Sequence, residues 1–234
     1  MPRPTVVFDF DGTLALGRGP LDAYARALAE HGGETVVADC LAAVGAFDAG
    51  ETNFDDAYDA VASTARSHGV TEQQLSLAYL ASRELVATDA APIHAPAGLP
   101  EFMTELAEHA ICVLATNAPA TGIEHALTVL GVRHQLTEVD CSVGKPAGLK
   151  PIVARHLATG HVLCVGDRWD NDLEPGHVAG AAIALVGVTD PGEHTPTMRG
   201  ASLVDLYDDI LRWAASDPGS TPAPLGAGTR SERH

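Results

Sequence analysis

The sequence predicts an α/β protein in which a parallel β-sheet lies between two layers of helices, with a helical segment inserted after the first strand. Two observations predict this class. Short β-branched and apolar runs alternate with helical patterns, which is the order expected of a parallel sheet with right-handed crossovers. About a hundred residues with helical periodicity separate the first apolar run from the second, which indicates an insertion.

The first predicted strand covers residues 6–10 and ends in a turn at Gly12. In the insertion that follows, apolar residues recur at helical spacing around residues 21–28 and 54–61. A capping box at residues 71–74 begins a third helix. These patterns predict a helical domain over residues 16–95.

From residue 99 onward helices and strands alternate. The predicted elements, in chain order, are helix 101–109, strand 111–116, helix 120–130, strand 135–139, helix 149–158, strand 161–165, an irregular helix 172–178, strand 181–186 and helix 203–214. Residues 1–15 and 96–215 are therefore expected to form the core. Residues 216–234 are rich in Pro, Gly, Ser and Thr and are expected to be a disordered tail.

Length, composition and charge limit the possible functions. The chain has 234 residues, of which 46% are hydrophobic and 19% charged, so it can bury a sizeable core. Its net charge of −17 excludes nucleic acid and anionic membranes as bulk partners, because both require a basic surface. Any phosphate that the protein binds must therefore be held by a local site.

Cysteine usage and hydropathy predict a cytoplasmic protein. The four cysteines, Cys40, Cys112, Cys141 and Cys164, show no paired spacing, so neither disulfides nor a cysteine zinc site is expected. No basic and apolar leader opens the sequence, and its longest apolar run, near residues 179–188, is too short to cross a bilayer.

Polar residues follow the predicted strands at one edge of the sheet. Asp9 and Asp11 lie at the end of the first strand, Thr116 at the end of the second, and Lys145 and Asp167 in later loops. Ligands of open α/β sheets bind beyond the carboxyl ends of the strands, so these side chains are expected to converge. Two carboxylates separated by one residue can face a hard cation such as Mg²⁺, which keeps both of them charged.

Each of these residues also has an ordinary structural alternative. Asp9 and Asp11 could be solvated carboxylates of a turn, and Thr116 or Asn117 could cap a helix. Lys145 could be a surface amine, although the chain has only one other lysine. The combination of four motifs favours a functional site over these alternatives.

The motifs DFDGT, ATN, GKP and GDRWDND, in this order between residues 6 and 188, resemble those of the haloacid dehalogenase superfamily of hydrolases. The resemblance implies a Rossmann-like three-layer core with a helical C1 cap inserted after the first strand. It also implies a Mg²⁺-dependent phosphatase that acts on a small phosphorylated metabolite through an aspartyl-phosphate.

The resemblance further implies a role for each residue of the motifs. Asp9 would be the nucleophile, and Asp11 would protonate the leaving oxygen and later activate water. Thr116, with the backbone at Asn117, would hold a phosphoryl oxygen, and Lys145 would offset negative charge on the nucleophile and the phosphoryl group.

The resemblance also implies a metal site. Mg²⁺ would be bound by a carboxylate oxygen of Asp9, the backbone carbonyl of Asp11 and a carboxylate oxygen of Asp167. Asp172 resembles the second acidic position of the last motif, which positions the lysine or a metal-bound water, and Asp170 competes with it for that place.

The sequence narrows the activity within the superfamily. Asp11 favours phosphoryl transfer over dehalogenation, and the absence of lysine from residues 15–95 excludes a Schiff-base phosphonate hydrolase. A sugar-phosphate mutase and a non-enzymatic phospho-aspartate signalling protein remain as alternatives. Arg18, Arg66 and Arg83 are candidate contacts to the leaving group, and the oligomeric state is left open.

Overall fold

A parallel β-sheet organises the computed structural model, which describes residues 3–54, 56–187, 192 and 194–216. The strand order is β3-β2-β1-β4-β5-β6, and each pairing of neighbouring strands is parallel. The strands are β1 Thr5–Phe8, β2 Ile111–Ala115, β3 Glu138–Asp140, β4 Val162–Gly166, β5 Ala182–Val186 and β6 Met198–Gly200.

Helices cover the two faces of the sheet and form the insertion. They are α1 Gly19–Ala27, α2 Ala29–Asp48, α3 Ala57–Ser67, α4 Glu72–Glu84, α5 Leu99–His109, α6 Ile123–Val129, α7 Leu149–Leu157, α8 Glu174–Ala179 and α9 Tyr207–Ala215. Short 3₁₀ turns lie at Arg133–Gln135 and Leu203–Leu206, and a π-helical turn lies at Trp169–Leu173.

The alternation of side chains along β1 divides the core between the two faces of the sheet. Val6 and Phe8 join one apolar cluster, which packs against α5, α6 and α9. Val7 points to the opposite face and joins a second cluster with α7 and the π-helical turn. Because successive residues of a strand point to opposite faces, a strand buried on both sides must be apolar throughout. The predicted α/β class with a Rossmann-like three-layer core is confirmed.

The segment between β1 and α5 is helical, as predicted, and has an apolar core of its own. Buried residues of this core include Leu28, Val36, Val61 and Leu75. The sequence patterns predict three helices there, and the structure adds α2. Gly33, with a φ of 74°, divides α2 by a kink, and this break interrupts the periodicity by which a helix is recognised in sequence.

The structure also shifts several predicted elements. Strand β1 ends at Phe8, two residues earlier than predicted, and β3 begins at Glu138 after a 3₁₀ turn. The short strand β6 was not predicted, since three residues are too few to show a period. Residues 217–234 of the predicted tail lie outside the described residues. No helix in the described part of the chain is long and apolar enough to cross a membrane.

Candidate active site

The carboxyl ends of the central strands open into one cavity of about 650 Å³. Asp9 is the first residue after β1, Thr116 the first after β2 and Asp167 the first after β4, and all three line the cavity. Lys145, from the loop before α7, lines it as well. The parallel sheet thus brings together residues that are more than a hundred positions apart in sequence.

Lys145 joins two carboxylates at the base of the cavity. Its Nζ donates to Asp9 Oδ1 at 2.5 Å and to Asp172 Oδ1 at 2.6 Å. Only 3% of the lysine side chain is exposed. Burial opposes the charged ammonium, but Asp9 and Asp172 outweigh this effect and raise the pKa of Lys145. The lysine is therefore held in its charged form.

Three carboxylates converge on one point of the cavity. Asp9, Asp167 and Asp172 each offer an oxygen, and these oxygens lie within 4.8 Å of one another. Burial, followed by the charge of Asp172, raises the pKa of Asp9 and raises the pKa of Asp167 to about 7. One lysine does not compensate three clustered carboxylates, and hard oxygen donors in this arrangement fit a divalent cation such as Mg²⁺.

Two glycines allow these carboxylates to approach the backbone closely. Gly12 has a φ of 89°, and a Cβ there would lie 2.6 Å from Asp167 Oδ2. A Cβ on Gly166 would lie 2.4 Å from the Cβ of Asp172. Both distances are shorter than real Cβ contacts, so these two positions of the DFDGT and GDRWDND motifs exclude a side chain.

The residues after β2 organise the loops around the cavity. Thr116 is 1% exposed, and its Oγ1 accepts a hydrogen bond from Ala118 N at 3.0 Å. Asn117 Oδ1 accepts a hydrogen bond from Lys145 N at 2.6 Å, and thereby holds the loop that carries the lysine. The side-chain oxygen of Asn117 is thus already occupied by a hydrogen bond within the protein.

Asp11 faces a buried arginine from the inserted helices. Arg83, near the end of α4, is 0% exposed, and its Nη1 lies 3.5 Å from Asp11 Oδ1. The same Nη1 donates to the hydroxyl of Tyr58 at 3.4 Å. The Nε and Nη2 atoms of Arg83 are buried without a hydrogen-bond partner among the described residues. The structure therefore places Arg83 against Asp11, whereas the sequence analysis expects it at the leaving group.

The other two arginines named from the sequence differ in position. Arg18 forms ion pairs with Asp48 and with Asp22 and is not among the described residues that line the cavity. The structure thus gives no support to the expectation that Arg18 binds substrate, because this half-exposed side chain pairs with carboxylates outside the cavity. Arg66 does line the cavity, and its Nε and Nη2 donate to the carboxylate of Glu72 at 2.5 and 3.1 Å.

The π-helical turn gives Asp170 and Asp172 different surroundings. This turn buries Asp172, whose Oδ2 accepts from Arg168 N at 3.1 Å, and leaves Asp170 exposed. Asp172 thus has one oxygen for Lys145 and one for the backbone, which is the arrangement of a residue that positions the lysine.

Aromatic residues of the inserted helices also line the cavity, and the sequence analysis does not assign them to the site. They are Tyr24, Phe47, Tyr58 and Tyr79. A signal for them exists in the composition, since three of the four tyrosines of the chain lie in the inserted segment. Helical periodicity alone predicts that such residues belong to the core, because aromatic residues at that spacing are usually buried there.

Comparisons with known proteins give a family match for most of the chain. A family model described as haloacid dehalogenase-like hydrolase matches residues 4–180. Among curated proteins no sequence relative is detected.

Solved structures share the fold of the chain. A protein from Bacillus subtilis, described as a HAD-hydrolase bound to magnesium, has a TM-score of 0.64 at 18% identity, over 90% of this chain and 99% of that one. A 2-haloacid dehalogenase from Pseudomonas syringae has a TM-score of 0.55 at 16% identity, over 91% and 100% of the two chains. A predicted phosphoglycolate phosphatase from Haemophilus somnus has a TM-score of 0.55 at 18% identity, over 89% and 96%.

Proposed function

The chain belongs to the haloacid dehalogenase-like hydrolases, and on this premise we propose that it is a Mg²⁺-dependent phosphatase of a small phosphomonoester. The observation that carries the proposal is that Asp11 occurs in the same cavity as a carboxylate cluster that fits a metal ion. Asp11 lines the same cavity as Asp9, Asp167 and Asp172. Displacement of a halide requires neither a proton donor nor a metal, whereas cleavage of a phosphate ester benefits from both.

The proposed reaction has two steps, both carried out by residues of the β1 loop. In the first step an oxygen of Asp9 attacks phosphorus, the ester P–O bond breaks, and Asp11 gives its proton to the leaving alcohol. In the second step Asp11 takes a proton from water, the water oxygen attacks phosphorus, and the bond to Asp9 breaks to release phosphate. Lys145 offsets negative charge on Asp9 and on the phosphoryl oxygens throughout.

The proposed metal site uses the acidic cluster of the cavity. Asp9 and Asp167 would hold Mg²⁺ through carboxylate oxygens and Asp11 through its backbone carbonyl, while Asp172 positions Lys145. Bound Mg²⁺ supplies positive charge for the phosphoryl oxygens and the carboxylates. Thr116, together with the backbone at Asn117, is proposed to bind a phosphoryl oxygen.

The inserted helices are proposed to form a cap domain over residues 16–95, with residues 1–15 and 96–215 as the catalytic core. Support comes from the separate apolar core of α1–α4 and from the cavity, which both parts line. Such a cap would select the leaving group and exclude water from the reacting atoms. The proposed partner is a small phosphorylated metabolite, and the cytoplasm is the proposed compartment.

The test is release of phosphate from p-nitrophenyl phosphate by the full chain, with Mg²⁺ and with EDTA. We expect turnover with Mg²⁺ and its loss with EDTA. Release of chloride from 2-chloropropionate without phosphate release would instead make the protein a dehalogenase. Conversion of a hexose 1-phosphate to its 6-phosphate, without net phosphate release, would make it a mutase.

A further inference from the structure

The part of the cavity formed by the inserted helices has a wall of aromatic rings. We call this part the cap chamber and define it by Tyr24, Phe47, Tyr58, Tyr79, Asp56 and Asp59. The three tyrosine rings pack against one another, with centroids 5.6 to 6.2 Å apart. Aromatic faces carry negative electrostatic potential and attract cations.

The tyrosines of the cap chamber remain neutral phenols. Burial is the main reason, and it raises the pKa of Tyr24 to about 12 and also raises the pKa of Tyr58 and of Tyr79. Arg83 Nη1 lies 3.5 Å from Asp11 Oδ1 and donates to the hydroxyl of Tyr58 at 3.4 Å, so the Tyr58 ring lies close to the catalytic carboxylate. The cap chamber is therefore adjacent to the reacting centre.

Carboxylates outnumber cations in the cap chamber. Asp56 and Asp59 lie at the start of α3, where Asp56 Oδ1 accepts from Asp59 N at 2.8 Å and Asp59 Oδ1 accepts from Ser63 Oγ at 2.9 Å. Arg66 is the one arginine or lysine from the described part of the insertion that lines the cavity, and two of its nitrogens donate to Glu72.

This balance of charge discriminates between possible leaving groups. Asp56 and Asp59 line the cavity together with one guanidinium of the inserted helices, that of Arg66, which is already paired with Glu72, so an alcohol with a carboxylate of its own would meet net negative charge. Arg83 is fully buried against Asp11 and does not line the cavity. A positively charged alcohol would instead meet carboxylates and aromatic residues, which both line this part of the cavity.

We propose that the substrate is a phosphomonoester of an amino or quaternary ammonium alcohol, whose positive group binds in the cap chamber while its phosphate lies at Asp9. The proposal rests on the proposed phosphatase activity and names the substrate class of that site. A cavity of about 650 Å³ has room for a phosphate and a small alcohol together.

The sharpest test compares choline phosphate with 3,3-dimethylbutyl phosphate. These two esters have the same shape and differ only in the replacement of the quaternary nitrogen by carbon. With Mg²⁺ we expect kcat/KM to be about tenfold or more higher for choline phosphate, and phosphoglycolate to be poorer than both. Equal values for the two isosteres, or a preference for the neutral one, would overturn the proposal.

Variants locate the preference within the cap chamber. Asp56→Asn keeps an N-cap for α3 but removes the charge, and Tyr79→Leu removes a ring, so each should lower the ratio of kcat/KM between the two esters several-fold. Tyr79→Phe keeps the ring and should keep the ratio. Asp39→Asn, at a carboxylate of α2 outside the cavity that pairs with His68, serves as the matched control. An unchanged ratio in both Asp56→Asn and Tyr79→Leu would contradict the proposed position.

Binding measurements separate this proposal from the proposed function. Calorimetry on the full chain with choline and with 3,3-dimethylbutanol requires no turnover, and tighter binding of choline supports the cap chamber assignment even if p-nitrophenyl phosphate is not hydrolysed. Hydrolysis of p-nitrophenyl phosphate together with equal binding of the two alcohols would leave the phosphatase standing and overturn the substrate class.

Discussion

At the scale of single residues, the site depends on which cation compensates the negative charge of each carboxylate. Asp9 and Asp172 share the ammonium of Lys145, while Asp11 faces the guanidinium of Arg83. The proposed nucleophile and the proposed acid thus face separate cations, one from the core and one from the inserted helices. This division leads to three predictions about individual side chains.

Asp9→Asn should lower kcat for every phosphomonoester by about 10⁴-fold or more, because an amide is a poor nucleophile and a poor metal ligand. The measurement is steady-state phosphate release by the purified, folded variant. Asp170→Asn is the control, since Asp170 is an exposed carboxylate of the GDRWDND motif that does not line the cavity. A variant at residue 9 that keeps a tenth of the rate would show that Asp9 is not the nucleophile.

Asp11→Asn should slow turnover in proportion to the need for a proton at the leaving oxygen. Alkyl phosphates, whose alcohols leave poorly, should lose about 10²-fold or more, and p-nitrophenyl phosphate should lose less. A series of aryl phosphates of graded phenol acidity measures this dependence. If all members of the series slow equally, Asp11 positions the substrate and does not act as the acid.

Arg83→Met should reproduce part of the Asp11 defect, because it removes the cation that faces Asp11 while keeping a long buried side chain. We expect a loss of about tenfold on alkyl phosphates, a smaller loss on p-nitrophenyl phosphate, and partial recovery in Arg83→Lys. Arg18→Met is the matched control, as Arg18 is exposed and pairs outside the cavity. Equal rates in Arg83→Met and the wild type would show that Arg83 has only a structural role.

At the scale of elements, strand ends and short glycine turns bring the catalytic loops together. The loop before α7 carries Lys145, and it folds back so closely that a Cβ on Gly148 would lie 1.7 Å from the carbonyl oxygen of Val143. Asn117, after β2, holds the same loop from the other side through Lys145 N. The position of the lysine is therefore fixed by close packing within its own loop and by Asn117.

Gly148→Ala should displace this loop and lower the free energy of unfolding by about 1 to 3 kcal/mol, because the new methyl group overlaps a carbonyl oxygen. Denaturant unfolding measures the loss, and kcat should fall with it as Lys145 moves. Gly45→Ala is the control, since a Cβ at this exposed position of α2 meets nothing within 4 Å. That control should gain about 0.5 to 1 kcal/mol. A Gly148→Ala variant as stable and active as the wild type would contradict the close packing.

At the scale of the whole molecule, the cavity joins two parts of the protein that have separate apolar cores. The core supplies the carboxylates and Lys145, and the inserted helices supply Arg83 and the aromatic wall. Because the acidic cluster is buried in the folded state and solvated in the unfolded state, its ionisation is linked to global stability.

Mg²⁺ should stabilise the protein more at pH 8 than at pH 5. Burial, followed by the charge of Asp172, raises the pKa of Asp167 from 3.8 to about 7, so without metal the stability falls as the pH rises through this interval. A bound cation favours the ionised carboxylates and removes that loss. The stabilisation by Mg²⁺ is measured as the difference in Tm between EDTA and Mg²⁺ at the two pH values, with Ca²⁺ as a comparison cation. An equal shift of Tm at both pH values would contradict the linkage.

Much of the fold and of the site follows from local sequence patterns. Apolar runs define β1, β2, β4 and β5, and the carboxyl ends of parallel strands must share an edge, so the positions of Asp9, Thr116 and Asp167 on one edge were predictable. Two elements were not predictable in this way. The kink at Gly33 interrupts the helical period of α2, and β6 has only three residues, which are too few to show a period.

The sequence by itself determined the α/β class, the helical insertion and the residues at the strand ends, because hydrophobic period and strand-end position are local properties of the chain. Only the tertiary structure decided which arginine reaches the site and which aromatic rings form its wall. Arg18, Arg66 and Arg83 look alike in sequence, yet one faces outward, one pairs with Glu72 at the cavity and one is buried against Asp11. The reason is that these contacts depend on how the inserted helices pack onto the core, and helical periodicity specifies which face of a helix is apolar but not which partner that face meets.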